Sequence, residues 1–378
     1  MRENLQKIVL IGPVYPYKTG LSYYVALLFK QLSKRHDTEL ISYSMLYPRF
    51  LYGKEVKDYT DDVLKISEAQ YLLNSANPFN CIKVARKIKK QTPDLVVMQW
   101  LHPYFAPSNY IILKVLGKKI KKLYICHNIF PHERFPFDKF LTRLALKPAD
   151  CYITHAESDA SELRTIIHDP KIKVAVHPTY DFFRQKDLTK EQARNILEIE
   201  RDEEVLLFFG LVREYKGLKH LIEAMGKLKD RKKLRLLIAG DFCGHREEYD
   251  ALIDKEKVRE KLIIDDKHIP IDEVEKYFAA CDLVVLPYES ATQSGVIQVA
   301  YSFEKPVLAT MVGGLPDVVR DMKTGYLVEP FKPEALVEKI GDFFDNDRSE
   351  LFAEGVRQER YRYSWDRMEE CIEELTEN

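Results

Sequence analysis

Residues 204–228 read EVLLFFGLVREYKGLKHLIEAMGKL, and their punctuation decides the fold. The short apolar run EVLLFF stops at Gly210, a polar loop follows, and GLKHLIEAMGKL then carries a helical pattern. An apolar run of four to eight residues bounded by turn signals reads as a buried parallel strand. The chain opens with the same grammar: KIVLIG (7–12), a loop, then LSYYVALLFKQLSKR. Further runs of this kind are TELISYS (38–44), DLVVMQW (94–100), KLYICHN (122–128), CYITH (151–155) and IKVAVHP (172–178). The second half adds RLLIAG (235–240), LIIDD (262–266), DLVVLPY (282–288) and KPVLAT (305–310). Helical stretches separate them, which is the alternation of a doubly wound α/β sheet. Two such sheets in tandem are expected, with a cleft between them and ligand loops at the carboxyl ends of their strands. Strand patterning stops in HPTYDFFRQKDLTKEQ (177–192), the expected linker, and the tail YRYSWDRMEECIEELTEN reads as an amphipathic helix with no strand after it.

Composition narrows the function. At 378 residues, 46% hydrophobic and 31% charged, the chain is globular and long enough for two domains. Lys and Arg total 58 against 59 Asp and Glu, which argues against a general nucleic-acid binder. The six cysteines are scattered without a CxxC pair, so a zinc ribbon or disulfide framework is not expected and a reducing compartment is. MRENLQKIVLIGPVYP is too short in apolar residues for a signal peptide, and no run of about 18–20 apolar residues occurs. The expected location is the cytoplasm, including the inner face of the membrane. The basic runs KVARKIKKQ (83–91) and VLGKKIKKLY (115–124) read as solvated helix faces or as contacts to an anionic membrane surface or acceptor.

The chemistry concentrates in LPYESATQSGVIQVAYSFEKPVLATMVGG (286–314). Small residues between a strand and a helix start leave backbone N–H groups bare, and those N–H groups lie at the positive end of the helix. Such a turn seats a phosphate; its plainer use is an N-cap made by Ser294 or Thr292. The one DxD-like string, DND at 345–347, is far from any strand end and reads as a loop, and GHREEYD (244–250) lacks HExxH spacing. No metal site is expected.

Four stretches together resemble the family 4 glycosyltransferases: IGPVYPYKTGLSYYVALL (11–28), CHNIFPHE (126–133), FFGLVREYKGLKHLIEAM (208–225) and LPYESATQSGVIQVAYSFEKPVLATMVGGLPDVV (286–319). The resemblance implies a GT-B fold: two Rossmann-like, doubly wound parallel-sheet domains facing a central cleft. It places the domains at 1–183 and 184–359, with a final helix at about 360–378 packing back on the first. It implies a retaining, metal-independent, hexosyl-transferring enzyme with a nucleotide-diphosphate sugar as co-substrate and no cofactor. The setting would be assembly of a cell-surface polysaccharide, glycolipid or glycoprotein glycan, on a glycan, lipid-linked or protein acceptor. It makes Arg213 and Lys216 the basic pair on the donor diphosphate, and sets His127 against the transferred sugar. Gly20, Glu289, Thr292, Gln293, Ser294, Gly295, Gly313 and Gly314 become donor-side residues, and His132 and Glu133 acceptor-side ones. In this family the departing phosphate oxygen takes the acceptor proton, so His127 is not cast as a base. The pattern departs from the family at two positions. Its two glutamates, eight residues apart, correspond to Ala291 and Val299, in a SATQSG version of the loop. The alternative is a non-catalytic nucleotide-sugar-binding or scaffold protein of the same fold.

Overall fold

The computed structural model describes residues 6–17, 20–48, 57, 59, 64–131 and 134–377. These divide into two compact units, one of residues 1–175 with 365–378 and one of residues 176–364.

Unit 1 holds a seven-stranded sheet. Its strands are β1 (Lys7–Ile11), β2 (Asp37–Met45), β3 (Gln70–Asn74), β4 (Leu95–Trp100), β5 (Lys121–Cys126), β6 (Cys151–Thr154) and β7 (Ile172–Val174). They lie in the order β3-β2-β1-β4-β5-β6-β7. Every pairing is parallel, with Ile8 opposite Thr38 on one side and Leu95 on the other. Helices α1 (Gly20–Leu32), α2 (Pro78–Lys90), α3 (Ala106–Leu116), α4 (Asp138–Leu146) and α5 (Glu157–Arg164) connect them. The central strands are buried on both faces, as the apolar run LVVMQW of β4 requires. Helix α2 starts where Asn77 accepts the Asn80 N–H ahead of Pro78, and ends on Lys87, Lys89 and Lys90, cations that suit its negative end.

Unit 2 repeats the design with six strands: β8 (Glu204–Phe209), β9 (Leu234–Ala239), β10 (Leu262–Asp265), β11 (Leu283–Leu286), β12 (Val307–Thr310) and β13 (Gly325–Val328). Their order is β10-β9-β8-β11-β12-β13, again all parallel. Its helices are α6 (Lys190–Ile196), α7 (Leu218–Lys227), α8 (Arg246–Glu256), α9 (Ile271–Ala280), α10 (Gly295–Ser302), α11 (Leu315–Val318), α12 (Pro333–Asp345) and α13 (Arg348–Gln358). The last helix, α14 (Trp365–Thr376), belongs to unit 1, where the Gln31 amide donates to Glu369 at 2.6 Å and to Asp366 at 2.7 Å.

The structure differs from the sequence reading in several places. Strands β3 and β13 were not foreseen. β3 is a sheet edge whose QYLLN buries only Leu73 and exposes Tyr71, so it lacks a continuous apolar run. β13 is four residues long and begins at a glycine. The strand expected at 172–178 ends at Val174 and that at 122–128 ends at Cys126. The expected linker is not slack: the buried Glu275 carboxylate accepts N–H groups of Gln185, Lys186 and Leu188 at 3.0, 2.7 and 2.8 Å. The units part at 175/176 and 364/365. Residues just past 175 pack within unit 2, where the Thr179 N–H donates to the Tyr363 carbonyl at 2.9 Å.

Candidate functional site

In unit 2 the first strand, β8, lies between β9 and β11, so the chain reverses direction across the sheet at the β8/β11 boundary. Open α/β sheets bind ligands outside the strand carboxyl ends at such a switch point. Arg213 to Lys216 follow β8 there, with residues 214–216 in a short 3₁₀ turn closed by Gly217 in the left-handed region at φ 64°. A Cβ on Gly217 would lie 2.0 Å from the Pro287 carbonyl oxygen, so the loop after β8 touches the residue after β11 because this position is glycine. A second tie follows at once: the Glu289 N–H donates to the Tyr215 carbonyl at 2.7 Å.

The Lys216 ammonium lies 3.2 Å from where a Cβ on Gly210 would stand, over the end of β8. Burial pushes its pKa down to about 8; the Arg213 charge adds to this and Cys243 opposes it. Arg213 itself is exposed. Among the described residues no carboxylate pairs with either cation. Two neighbouring positive charges, one largely desolvated and neither neutralised, are an arrangement that an anion stabilises.

Ser294 takes the N-cap position of α10, yet its side chain caps nothing; its hydroxyl instead meets the Tyr288 hydroxyl at 3.3 Å. Gly295 is exposed at the helix start, and a Cβ there would meet only a Tyr180 ring carbon at 3.7 Å. Neither backbone strain nor crowding by the protein therefore requires glycine at 295. Gly313 does need to be glycine: it sits at φ 50°, and its Cβ would fall 1.5 Å from the Ala291 carbonyl oxygen. The Gly314 N–H donates to the Thr292 carbonyl at 2.9 Å, which seats the loop after β12 against residues 291–294.

These facts separate two uses of the loop. If first-turn N–H groups of α10 hold a phosphate, Ser294→Ala is expected to be mild, on the order of 1 kcal/mol. Gly295→Val is expected to weaken nucleoside diphosphate binding strongly while melting near the parent temperature, because only the approach of the ligand is crowded. Titration calorimetry beside thermal melting checks this. Full affinity in Gly295→Val would take the loop out of the site.

Glu289 faces elsewhere. Its carboxylate accepts from Lys219 at 2.8 Å and His220 at 2.9 Å on α7. Burial raises its pKa, but those two hydrogen bonds hold it below the usual glutamate range. Val299 is 5% exposed within α10 and serves packing. The DND string likewise stays structural: Asp345 pairs with Arg231 at 2.8 Å and the Asn346 amide donates to Asp342 at 2.8 Å.

In unit 1 the first strand also lies inside the sheet, between β2 and β4. His127 follows β5, and its Nε2 is 2.8 Å from Gln99 Oε1 near the end of β4. The Tyr24 ring meets the His127 ring edge-on at 4.8 Å, and His155 lies 5.2 Å from His127 between ring centres. Burial drives the pKa of His155 to about 4, partly offset by its 2.8 Å bond to the Ala175 carbonyl, so it stays neutral near pH 7. Gln99, Tyr24 and His155 escaped the sequence reading, because each sits inside an apolar run or helix with nothing to mark it. Gly20 opens α1 without positive φ, and a Cβ there would meet nothing within 4 Å, so the backbone does not require glycine at this position. His132 and Glu133 lie outside the described residues.

At the opposite end of that sheet, His36 Nε2 stands 3.3 Å from both Glu369 and Glu373, the one group of described residues with metal-ligand spacing. The Gln6 N–H points at His36 Nδ1 at 3.4 Å, which leaves the ring proton on Nε2, toward the carboxylates. That neutral tautomer turns a proton, not a lone pair, toward the two carboxylates, which does not suit a metal ligand.

The two Rossmann-like parallel-sheet units match solved structures of the GT-B fold. Residues 189–359 match the family model described as Glycosyl transferases group 1. A D-inositol 3-phosphate glycosyltransferase of Corynebacterium urealyticum is 28% identical over 240 residues, 60% of this chain and 56% of its own length. The N-acetyl-alpha-D-glucosaminyl L-malate synthase of Bacillus anthracis is 23% identical over 83% of this chain and 82% of its own. The chain thus spans little more than half the length of the first of these relatives. Among solved structures, a Rickettsia africae glycosyltransferase superposes with TM-score 0.72 at 22% identity, covering 99% of this chain and all of that one. Anabaena HepE in complex with UDP gives 0.73 at 16% identity, covering 97% and 98%. Among the described residues no helix is long and apolar enough to cross a membrane.

Proposed function

We propose that the protein is a retaining, hexosyl-transferring glycosyltransferase. It takes a nucleotide-diphosphate sugar as donor and serves cell-surface polysaccharide, glycolipid or glycoprotein glycan assembly in the cytoplasm, at the inner face of the membrane. One observation carries the reading: Arg213 and Lys216, cations without counter-ions among the described residues, follow β8 at the switch point of unit 2, in a loop tied to Pro287 and Glu289 after β11. As the bond from sugar to diphosphate breaks, negative charge grows on the leaving group, and fixed cations and N–H groups there lower the barrier. The solved complexes of Anabaena HepE with UDP and with UDP-glucose, which share this fold, support a nucleotide sugar as the donor. His127 is assigned to the transferred sugar and Gly20 to the donor phosphates, both carried on unit 1. The acceptor is a glycan, a lipid-linked sugar or a protein, and the basic segments 83–91 and 115–124 suit one presented at an anionic membrane surface.

The test is donor hydrolysis. Incubated with UDP-, GDP-, ADP- or TDP-sugars, the protein is expected to release nucleoside diphosphate slowly from one of them without acceptor, and to melt at higher temperature with that donor alone. Stabilisation without any turnover would favour the non-catalytic alternative, which the buried Val299 in place of a family glutamate suits. The neutralisation is assigned to Arg213, Lys216 and backbone donors, and Glu289 is already held by α7. Activity is therefore expected to survive EDTA. Loss on chelation with recovery on Mg²⁺ or Mn²⁺ would overturn the metal-independent mechanism.

A further inference from the structure

Charge is spread unevenly along this chain. Residues 78–149 hold 14 Lys and Arg against three acids, Asp94, Glu133 and Asp138, while the whole chain has a net charge of −1. Asp94 is taken by the Lys7 N–H at 2.8 Å, Asp138 is buried against Arg134, and Asp150 just beyond is paired with Lys122 at 2.8 Å. Helices α2, α3 and α4 bury Val84, Ile88, Ile112, Leu116, Ala145 and Leu146 in one core cluster. Their opposite stripes therefore form one outer layer.

That layer is basic and aromatic together. On α2, Phe79, Lys83, Arg86 and Lys90 recur at helical spacing, all exposed. Along α4 and at its two caps lie Phe137, Phe140, Arg143 and Lys147, also exposed, although none of them lies in the two basic runs read from the sequence. Phe79, Phe137 and Phe140 are 81%, 78% and 64% exposed, a costly arrangement for apolar residues in water. Between α3 and α4 lies a groove of about 440 Å³, lined by Tyr110, Phe140 and Leu144 as walls and by Lys114, Arg143 and Lys147 as cations. No acid lines it, and among the described residues none of the three cations has an ion pair. Lys114 lies 5.5 Å over the Tyr110 ring.

We propose that the outer face of α2, α3 and α4 docks on an anionic lipid bilayer. Phe79, Phe137 and Phe140 enter the headgroup boundary, and a lipid phosphate sits in the groove against Lys114, Arg143 and Lys147. Charge complementarity selects an anionic partner, and the exposed rings select a bilayer over a soluble polyanion, since only the bilayer removes them from water. The inference rests on the membrane contact proposed above and extends it to α4 and the groove. It does not depend on sugar transfer.

Flotation with phosphatidylcholine vesicles, alone or with phosphatidylglycerol as about a third of the lipid, tests it. The protein is expected to float only with the anionic vesicles. Lys114→Gln/Arg143→Gln/Lys147→Gln is expected to lower that partition on the order of 100-fold, and Phe79→Ser/Phe140→Ser by roughly tenfold or more. Melting temperature and donor hydrolysis should not move, since all five side chains are exposed and outside the donor site. Unchanged partition in the triple variant would overturn the groove while leaving contact through segments 83–91 and 115–124 standing. A parent protein that ignores anionic vesicles, or that binds soluble heparin and no vesicle, would overturn both.

Discussion

Arg213→Ala and Lys216→Ala are each expected to lower turnover by roughly two to three powers of ten, the usual consequence of deleting an electrostatic contact that strengthens in the transition state. Folding should be little affected, because among the described residues neither side chain has an ion pair to lose. Lys216 also gives the effect a pH signature. Its pKa in the free protein is about 8, lowered by burial. The cation is therefore present below that value and lost as pH rises through it. Donor kcat/KM is expected to fall on the alkaline side of about pH 8, while a bound diphosphate, by favouring the charged form, moves the limb in kcat to higher pH. Lys216→Arg should remove this limb, because guanidinium stays charged throughout. Near-normal turnover in both alanine variants, or an alkaline limb that survives Lys216→Arg, would remove the pair from the site.

Gly217→Val should be among the most destabilising single substitutions in unit 2. The residue sits at φ 64°, where a branched side chain is strained, and its Cβ would lie 2.0 Å from the Pro287 carbonyl oxygen. Left-handed strain costs about 1–2 kcal/mol and forced overpacking about 1–3 kcal/mol more. A loss of roughly 2–5 kcal/mol in denaturant unfolding is therefore expected. Gly20→Ala is the contrasting control: with open space and no positive φ at the start of α1, stability should hold or rise slightly. Should Gly20→Ala weaken donor binding at unchanged melting temperature, the glycine acts on ligand and not on fold. A Gly217→Val protein as stable as its parent would mean that the β8 loop and the residue after β11 move apart freely.

The parallel architecture was legible because central strands such as β4 and β8 are buried on both faces and must be written as unbroken apolar runs. Edge strands escape that rule. β3 needs only one buried face and β13 only four residues, so neither rises above its surroundings. The site followed the same division. SATQSG could be found as small residues between a strand and a helix start, and Arg213 and Lys216 through the family resemblance. What each does could not. Gly217 is fixed by a carbonyl seventy residues away in sequence, Gly295 by nothing in the protein, and Glu289 is claimed by α7. The Glu275 carboxylate that pins residues 185–188 shows the same limit, since long-range pairing leaves no local mark.

The return of α14 to unit 1 sets an order on biosynthesis. A ribosome makes residues 1–175 before unit 2, yet the α14 residues that face Gln31 and His36 are made only after it. Unit 2, residues 176–364, must be synthesised in between, a delay of roughly 10–40 s at ~5–20 residues per second. The nascent first half therefore waits with Gln31, His36 and the Tyr24 face of α1 uncovered, while the half encoded after it completes its own core. Of the two units, the one begun earlier is completed later.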